Sequence, residues 1–199
     1  MTISLVKGQN VSLVKAAADV GGSLDSVTVG LGWDPLGGRG SFDLDAAAFV
    51  LDENERVIGK KWFIWYRNLK SPGKVVVHTG DNLTGDGDGD DEQIRLDLNN
   101  LRQVAQQETG KAVKKVLFVV NIYRGQSKGQ SFGDIQNAFI RIMDSRGNVL
   151  ARYDLGRDFS KETIVSFGEI YDHNGEWKFR AVGAGYQKEL EELRRDFGA

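Results

Sequence analysis

Alternation of apolar and polar residues with a period of two is the dominant pattern along the chain. From Val27 to Trp33 every odd position is apolar and every even position is small or polar, and Trp177 to Val182 alternates in the same way. Such alternation is typical of β-strands with one buried face. Four further runs are rich in β-branched and aromatic residues and predict buried strands, namely 62–66, 75–77, 116–122 and 139–143.

Turn signals and two helical patterns complete the predicted fold. Asn174-Gly175 lies between apolar runs at 164–171 and 177–182 and predicts a two-residue hairpin, because both residues tolerate a positive φ. The segment 145–148 predicts another turn. The apolar stripe Tyr186, Leu190, Leu193 and Phe197 predicts a terminal helix, and 99–107 predicts a short helix capped by Asn99 or Asn100.

These elements predict a mainly β protein. The expected fold is an antiparallel β-sandwich with a C-terminal helix and one or two short helices. We expect a single domain over 1–199, because no low-complexity linker divides the chain.

The amino-acid composition excludes several kinds of chemistry for this protein. The 199 residues include no cysteine, which excludes disulfides, thiol nucleophiles and cysteine-ligated metals. Two histidines are too few for a typical histidine-rich metal site, so any metal here is expected to have oxygen ligands. We find no secretion signal and no apolar run that could span a membrane, and a cytoplasmic location is expected.

Negative charge is concentrated in one segment, which we call the acidic loop (residues 81–92). It holds six acidic residues and no basic one, although the whole chain has 28 acidic and 26 basic residues and a net charge of −2. Carboxylates within about 4 Å of each other repel by roughly 1 kcal/mol per pair in water, and by more at a partly buried site. An ordered loop of this kind therefore predicts a bound cation.

Calcium is the cation that suits this loop best. It accepts six to eight oxygens in flexible geometry, whereas magnesium prefers a strict octahedron and keeps its waters. Asp86, Asp88 and Asp90 match the first alternating ligands of an EF-hand, but Asp91 replaces the required glycine and Asp97 the final glutamate. The flanks at 75–78 and 94–98 also predict strands. We therefore predict a calcium loop between strands and not an EF-hand.

A second group of carboxylates lies upstream. Asp34 follows one predicted strand, and Asp43 and Asp45 fall on the same face of another. We interpret them as completing the calcium site or forming a second site beside it. The alternative is the polar outer face of an edge strand.

Several of these segments together resemble the TerD-type tellurium-resistance family. The resemblance rests on Gly30-Leu31-Gly32-Trp33-Asp34, on Phe42-Asp43-Leu44-Asp45-Ala46, on the segment from His78 through the acidic loop, on Gln130-Ser131-Phe132 and on 175–179. It implies a bacterial, cytoplasmic stress protein with a calcium-binding β-sandwich that acts with other tellurite-resistance proteins, peripheral to the inner membrane. It further implies two calcium ions, with ligands drawn from Asp34, Asp43, Asp45, Asp81, Asn82, Asp86, Asp88, Asp90, Asp91 and Glu92. Since the chain has no thiol to reduce tellurite, we expect a non-catalytic, calcium-dependent binding module.

Particular features of the sequence suggest three other functions. Gly125-Gln126-Ser127-Lys128-Gly129 matches the G-x-S-x-G pattern of α/β-hydrolases, but that motif requires a parallel α/β sheet. A metal-dependent hydrolase would use the clustered carboxylates, yet no histidine or lysine is evidently paired with them as a base. A calcium-dependent membrane module would bring basic residues, among them Lys60, Lys61, Lys114 and Lys115, to anionic lipid. A mildly acidic chain without a basic stripe argues against nucleic acid.

Overall fold

The computed structural model describes residues 2–36, 42–80, 89–156 and 159–199. Within these residues the strands form two six-stranded sheets that pack as a sandwich. Sheet A has the order β1-β10-β9-β3-β7-β6, with β1 Ile3–Leu5, β3 Ser26–Pro35, β6 Val76–His78, β7 Glu92–Asp97, β9 Ile135–Asp144 and β10 Val149–Asp154. Sheet B has the order β2-β12-β11-β8-β4-β5, with β2 Asn10–Ser12, β4 Leu44–Leu51, β5 Phe63–Ile64, β8 Lys115–Ile122, β11 Ile164–His173 and β12 Glu176–Tyr186.

The predicted mainly β sandwich is confirmed, with one departure from antiparallel pairing. β1 runs parallel to β10, with Ile3 opposite Ala151 and Leu5 opposite Tyr153. All other strand pairs described are antiparallel. The predicted strand over 62–66 is shorter than expected, because a 3-10 turn at Lys60–Trp62 leaves only Phe63–Ile64 extended.

Strand β4 occupies the interior of sheet B and carries Asp45. It pairs with β8 along its whole length and with β5 at Ala48 and Phe49, and all eight of its residues are buried. The Phe49 ring packs against Phe63 and Phe197, so the C-terminal segment covers this face of the sheet. The alternative that Asp45 marks the polar face of an edge strand is therefore wrong.

The structure contains helices α1 Leu13–Asp19, α2 Leu101–Thr109, α3 Gly125–Lys128 and α4 Leu190–Asp196. The sequence patterns predicted α2 and α4 but not α1, a seven-residue helix whose N-cap Ser12 accepts a hydrogen bond from the Lys15 N–H. Asn100 occupies the N-cap position of α2, as expected, but its side chain makes no capping hydrogen bond and donates to Asp97 Oδ2 instead. The prediction that Tyr186 belongs to the terminal helix was wrong: Tyr186 ends β12, and α4 begins only at Leu190.

Both predicted turns are confirmed. Asn174 and Gly175 have φ values of 55° and 85° and join β11 to β12 by a two-residue turn. In the turn after β9, the Asp144 carboxylate accepts hydrogen bonds from the backbone N–H groups of Arg146 and Asn148. The first turn sets the register of β11 with β12, and the second joins β9 to β10.

Candidate functional site

The acidic residues of sheet A meet where β3 ends and β7 begins. Asp34 lies near the end of β3, and Asp91 directly precedes β7. Two hydrogen bonds attach Asp91 to β3: its N–H donates to the Leu31 carbonyl at 2.8 Å, and its Oδ2 accepts from the Trp33 N–H at 2.7 Å. Asp34 and Asp91 line one cleft of about 280 Å³, whose other side carries Arg141 and Arg152.

Asp91 carries the clearest electrostatic signature of this cleft. The pKa of its carboxyl is raised from 3.8 to about 6, mainly by burial and to a lesser extent by the nearby charges of Asp34, Glu92 and Asp90, against the lowering effect of the hydrogen bond from the Trp33 N–H. A cation beside the Asp91 carboxylate would offset the cost of ionising it. Carboxylate oxygens suit calcium, and Arg141 and Arg152 line the same cleft.

Asp90 is already neutralised by groups of the protein. Its Oδ1 accepts from Arg141 Nε at 2.7 Å and its Oδ2 from Gln93 Nε2 at 3.0 Å, and its side chain is 1% exposed. The carboxylate lies directly over Gly30, where any Cβ would collide with it. Gly30 in β3 therefore leaves the space that this buried ion pair needs, and Asp90 is less available to a metal than Asp91.

Glu92 links the two sheets. From β7 in sheet A its Oε2 accepts from the Ala46 N–H of β4 in sheet B at 2.6 Å, and the same oxygen lies 3.2 Å from His78 Nε2. His78 Nδ1 accepts from the Gly80 N–H, so the neutral imidazole carries its proton on Nε2 and donates it to Glu92. Both side chains are 1% exposed.

Sequence reasoning missed His78 as a partner of the acidic residues. The interpretation of His78 as a strand residue is correct, since it ends β6. Its alternation with Val76 places both side chains on one buried face, and Glu92 begins the strand that pairs with β6. The sequence signal that could have identified His78 was its position on the buried face of a strand next to the acidic loop.

The upstream carboxylates lie in or next to sheet B. Asp45 is 4% exposed, and its Oδ2 accepts from Asn121 Nδ2 at 3.4 Å, directly across the β4–β8 register. The Asp43 carbonyl accepts from the Tyr123 N–H at 2.7 Å. The bond from Ala46 to Glu92 places the start of β4 beside the acidic residues of sheet A.

The structure therefore describes six of the ten predicted ligands. Asp34, Asp90, Asp91 and Glu92 are brought together around the start of β7, and Asp43 and Asp45 lie at the start of β4. Asp81, Asn82, Asp86 and Asp88 lie outside the described residues. Among the residues that are described, no group of three or more histidine, aspartate or glutamate side chains has a geometry suited to a metal ion. Calcium binding thus stays a prediction.

The residues that the other suggested functions would use have structural roles or partners of their own. Ser127 lies in α3 after a strand of an antiparallel sheet, and its Oγ donates to the Arg124 carbonyl at 2.9 Å, unlike the nucleophile of an α/β-hydrolase. Lys115 pairs with Glu55 and Glu169, and Lys114 donates to the Asp172 carbonyl. In the described part of the chain, no helix is long and apolar enough to cross a membrane.

Comparison with known proteins places the chain in a family. The model of the TerD domain matches residues 1–197. The chain is 48% identical to a tellurium resistance protein TerD of Serratia marcescens, over all of this chain and 98% of the relative. It is 43% identical to general stress protein 16U of Bacillus subtilis, with the same coverage.

A solved structure supports the fold. A homologue of the telluride resistance protein TerD from Streptomyces coelicolor superposes with a TM-score of 0.66 at 20% identity, covering 89% of this chain and 99% of the homologue. The resemblance noted in the sequence is confirmed by these matches. The chain belongs to the TerD family of tellurium-resistance and general stress proteins.

Proposed function

We propose that this protein binds calcium through its acidic loop and Asp34, and acts as a non-catalytic, calcium-dependent binding module in the response to tellurite and related stresses. The observation that carries the proposal is the convergence of Asp34 and Asp91 on one cleft, with Asp90 and Glu92 on either side of Asp91 in the chain. Like charges so arranged repel each other, and Arg141 and Arg152, which line the same cleft, offset part of that repulsion.

The described residues divide into two kinds of carboxylate. Asp90 and Glu92 have buried side chains whose oxygens accept hydrogen bonds from the protein, from Arg141 and Gln93 in one case and from Ala46 and His78 in the other. Asp34 and Asp91 also accept hydrogen bonds, from Asn137 Nδ2 at 2.8 Å and from the Trp33 N–H at 2.7 Å. Unlike Asp90 and Glu92, however, Asp34 is exposed and Asp91 is half-buried, and both line the cleft. They are therefore the described residues most accessible to an ion, and Asp81, Asn82, Asp86 and Asp88 would complete its ligands.

The family supports the physiological setting of this proposal. Relatives are named for tellurium resistance and for general stress. The chain has no cysteine, so it has no thiol with which to reduce tellurite. A calcium-dependent change in the order or charge of the acidic loop, read by other tellurite-resistance proteins at the inner membrane, is consistent with both facts.

Calcium titration by calorimetry, paired with thermal melts, tests the proposal. The full chain, freed of metal by chelation, is expected to bind calcium saturably, and 100 times the dissociation constant should add about 2.7 kcal/mol of stability. Asp91→Asn should weaken binding at least tenfold. Asp19→Asn, which removes an exposed carboxylate at the end of α1, is the matched control and should leave the affinity unchanged.

Two outcomes would contradict the proposal. One is an absence of binding heat together with an unchanged melting temperature. The other is an affinity that survives Asp91→Asn combined with Asp88→Asn, because the site would then lie elsewhere. Since Asp90 is occupied by Arg141, Asp90→Asn is expected to lower calcium affinity less than Asp91→Asn does.

A further inference from the structure

A second cleft, which we call the β8 pocket, lies at the end of sheet B where β8 ends and β4 begins. It has a volume of about 480 Å³, within the range of small-molecule sites. Its lining includes Tyr66 after β5, Asn121 and Tyr123 at the end of β8, and the first residues of α4. The fold thus brings together three separate segments around one concave surface.

The floor of the β8 pocket holds an unsatisfied hydrogen-bond acceptor. Asn121 is 3% exposed, and its Nδ2 donates to the Asp45 carboxylate at 3.4 Å. The carboxylate fixes the orientation of the amide, because the reversed amide would place two acceptors face to face. The buried Oδ1 has no hydrogen-bond partner in the part of the chain that the structure describes. A buried acceptor in a cleft calls for a donor from a ligand or solvent.

Aromatic side chains form the walls of the pocket. Trp65 and Tyr66 are in edge contact with ring centroids 4.7 Å apart, and Tyr66 meets Tyr123 edge-on at 6.2 Å. Burial raises the pKa of the Tyr66 hydroxyl, which therefore stays neutral and able to donate a hydrogen bond. Such walls suit a flat ring, because aromatic side chains stack on bases of any identity.

The rim of the pocket has a cation without a carboxylate partner. Glu191 is shared between Arg67 and Arg194, at 4.0 and 3.2 Å. Arg124 is exposed and lies over the Tyr123 ring at 5.2 Å, and no acidic group of the described ranges pairs with it. Lys128 lies over the same ring at 5.6 Å. Two cations beside one aromatic ring favour an anionic group such as phosphate.

We propose that the β8 pocket binds a nucleotide whose base carries an amino group. The base stacks on the tyrosine wall and donates its amino N–H to Asn121 Oδ1, while the phosphate pairs with Arg124 and Lys128. A nucleotide combines the flat ring, the N–H donor and the anion that the three parts of the pocket require. The inference is independent of calcium, although Asn121 connects the pocket floor to Asp45.

Ligand titrations of the full chain test each part of this assignment. Adenosine monophosphate is expected to bind saturably, measured by calorimetry and by the change in tryptophan fluorescence that Trp65 reports. Adenosine lacks the phosphate and ribose 5-phosphate lacks the base, and each should bind at least tenfold more weakly. Asn121→Ala should also weaken binding of the nucleotide at least tenfold.

A substitution at Lys74, outside the pocket, serves as a matched control for a substitution at Arg124 on the rim. Arg124 and Lys74 are exposed cations with left-handed backbone, at φ values of 56° and 54°, a conformation that asparagine tolerates. Arg124→Asn should weaken nucleotide binding at least tenfold, and Lys74→Asn should not change it. Because Arg124 is exposed, this comparison holds even if Asn121→Ala fails to fold.

Three results would overturn the proposal. The first is no saturable binding of adenosine monophosphate. The second is ribose 5-phosphate binding as tightly as the nucleotide, which would mean that no base is bound. The third is an equal loss of nucleotide affinity in Lys74→Asn and Arg124→Asn, which would mean that only the net charge of the protein matters.

Discussion

Replacing Asp91 with asparagine should stabilise the calcium-free protein. Asparagine keeps an acceptor for the Trp33 N–H and removes one negative charge from a half-buried position. The rise of the Asp91 pKa from 3.8 to about 6 corresponds to about 3 kcal/mol at 1.36 kcal/mol per unit. Because the group is partly exposed, solvent screening lowers the expected gain to about 1 kcal/mol.

The pH dependence of this effect has a definite sign. The folded pKa of Asp91 is above its unfolded value, so folding is penalised only where the unfolded carboxyl is ionised. The penalty is absent below about pH 4, grows between about pH 4 and pH 6, and is complete above that range. The stability difference between Asp91→Asn and the unaltered protein should therefore be largest at pH 7.5 and should shrink toward pH 4.

Urea unfolding in the presence of chelator measures this difference directly. The unfolding free energies of Asp91→Asn, the control Asp19→Asn and the unaltered chain are compared at pH 7.5 and pH 4.5. Added calcium at pH 7.5 should stabilise the unaltered chain and the control more than it stabilises Asp91→Asn. An Asp91→Asn protein that is less stable than the unaltered chain in chelator would refute the electrostatic reasoning.

Three further changes test the structure around the site. Glu92→Gln should lower the unfolding free energy by about 1–2 kcal/mol, because a neutral amide is a weaker acceptor for the buried Ala46 N–H; a change below about 0.5 kcal/mol in urea would contradict the link between the sheets. Asp144→Ala should lower the unfolding free energy by about 2–3 kcal/mol and make stability fall less steeply at acid pH. Burial opposes ionisation of Asp144, but the hydrogen bonds from Asn148 and Arg146 outweigh it and lower the pKa of Asp144. The stabilisation by the ionised carboxylate is therefore lost as the pH falls through the folded pKa. Gly175→Ala should cost about 1 kcal/mol at its φ of 85°, and an unchanged melting temperature would argue against the two-residue turn.

Local patterns predicted most of the fold because they depend on neighbouring residues. The alternation in Val27–Trp33 and the Asn174-Gly175 turn gave correct strands and a correct hairpin. The parallel pairing of β1 with β10 joins residues almost 150 positions apart, and no local pattern encodes it. α1 escaped notice because its seven residues are too short for a clear apolar period.

The candidate site was predictable in its charge but not in its contacts. The density of carboxylates in the acidic loop is visible in the sequence, but the strand predicted to hold both Asp43 and Asp45 begins only at Leu44, so Asp45 alone lies in it. Sequence could not show that Arg141 would reach Asp90 from β9, or that His78 would donate to Glu92, because both contacts depend on the register of sheet A. Those two contacts hold the buried carboxylates of Asp90 and Glu92, whereas Asp34 and Asp91, which also accept hydrogen bonds, line the cleft.

A crystal structure of the full chain grown with calcium chloride tests the central claim most directly. We predict an ion beside the cleft of Asp34 and Asp91, coordinated by carboxylate and carbonyl oxygens at about 2.3–2.6 Å and shared with residues of the acidic loop. An ordered acidic loop with only water between these carboxylates, at a calcium concentration far above any physiological level, would contradict it.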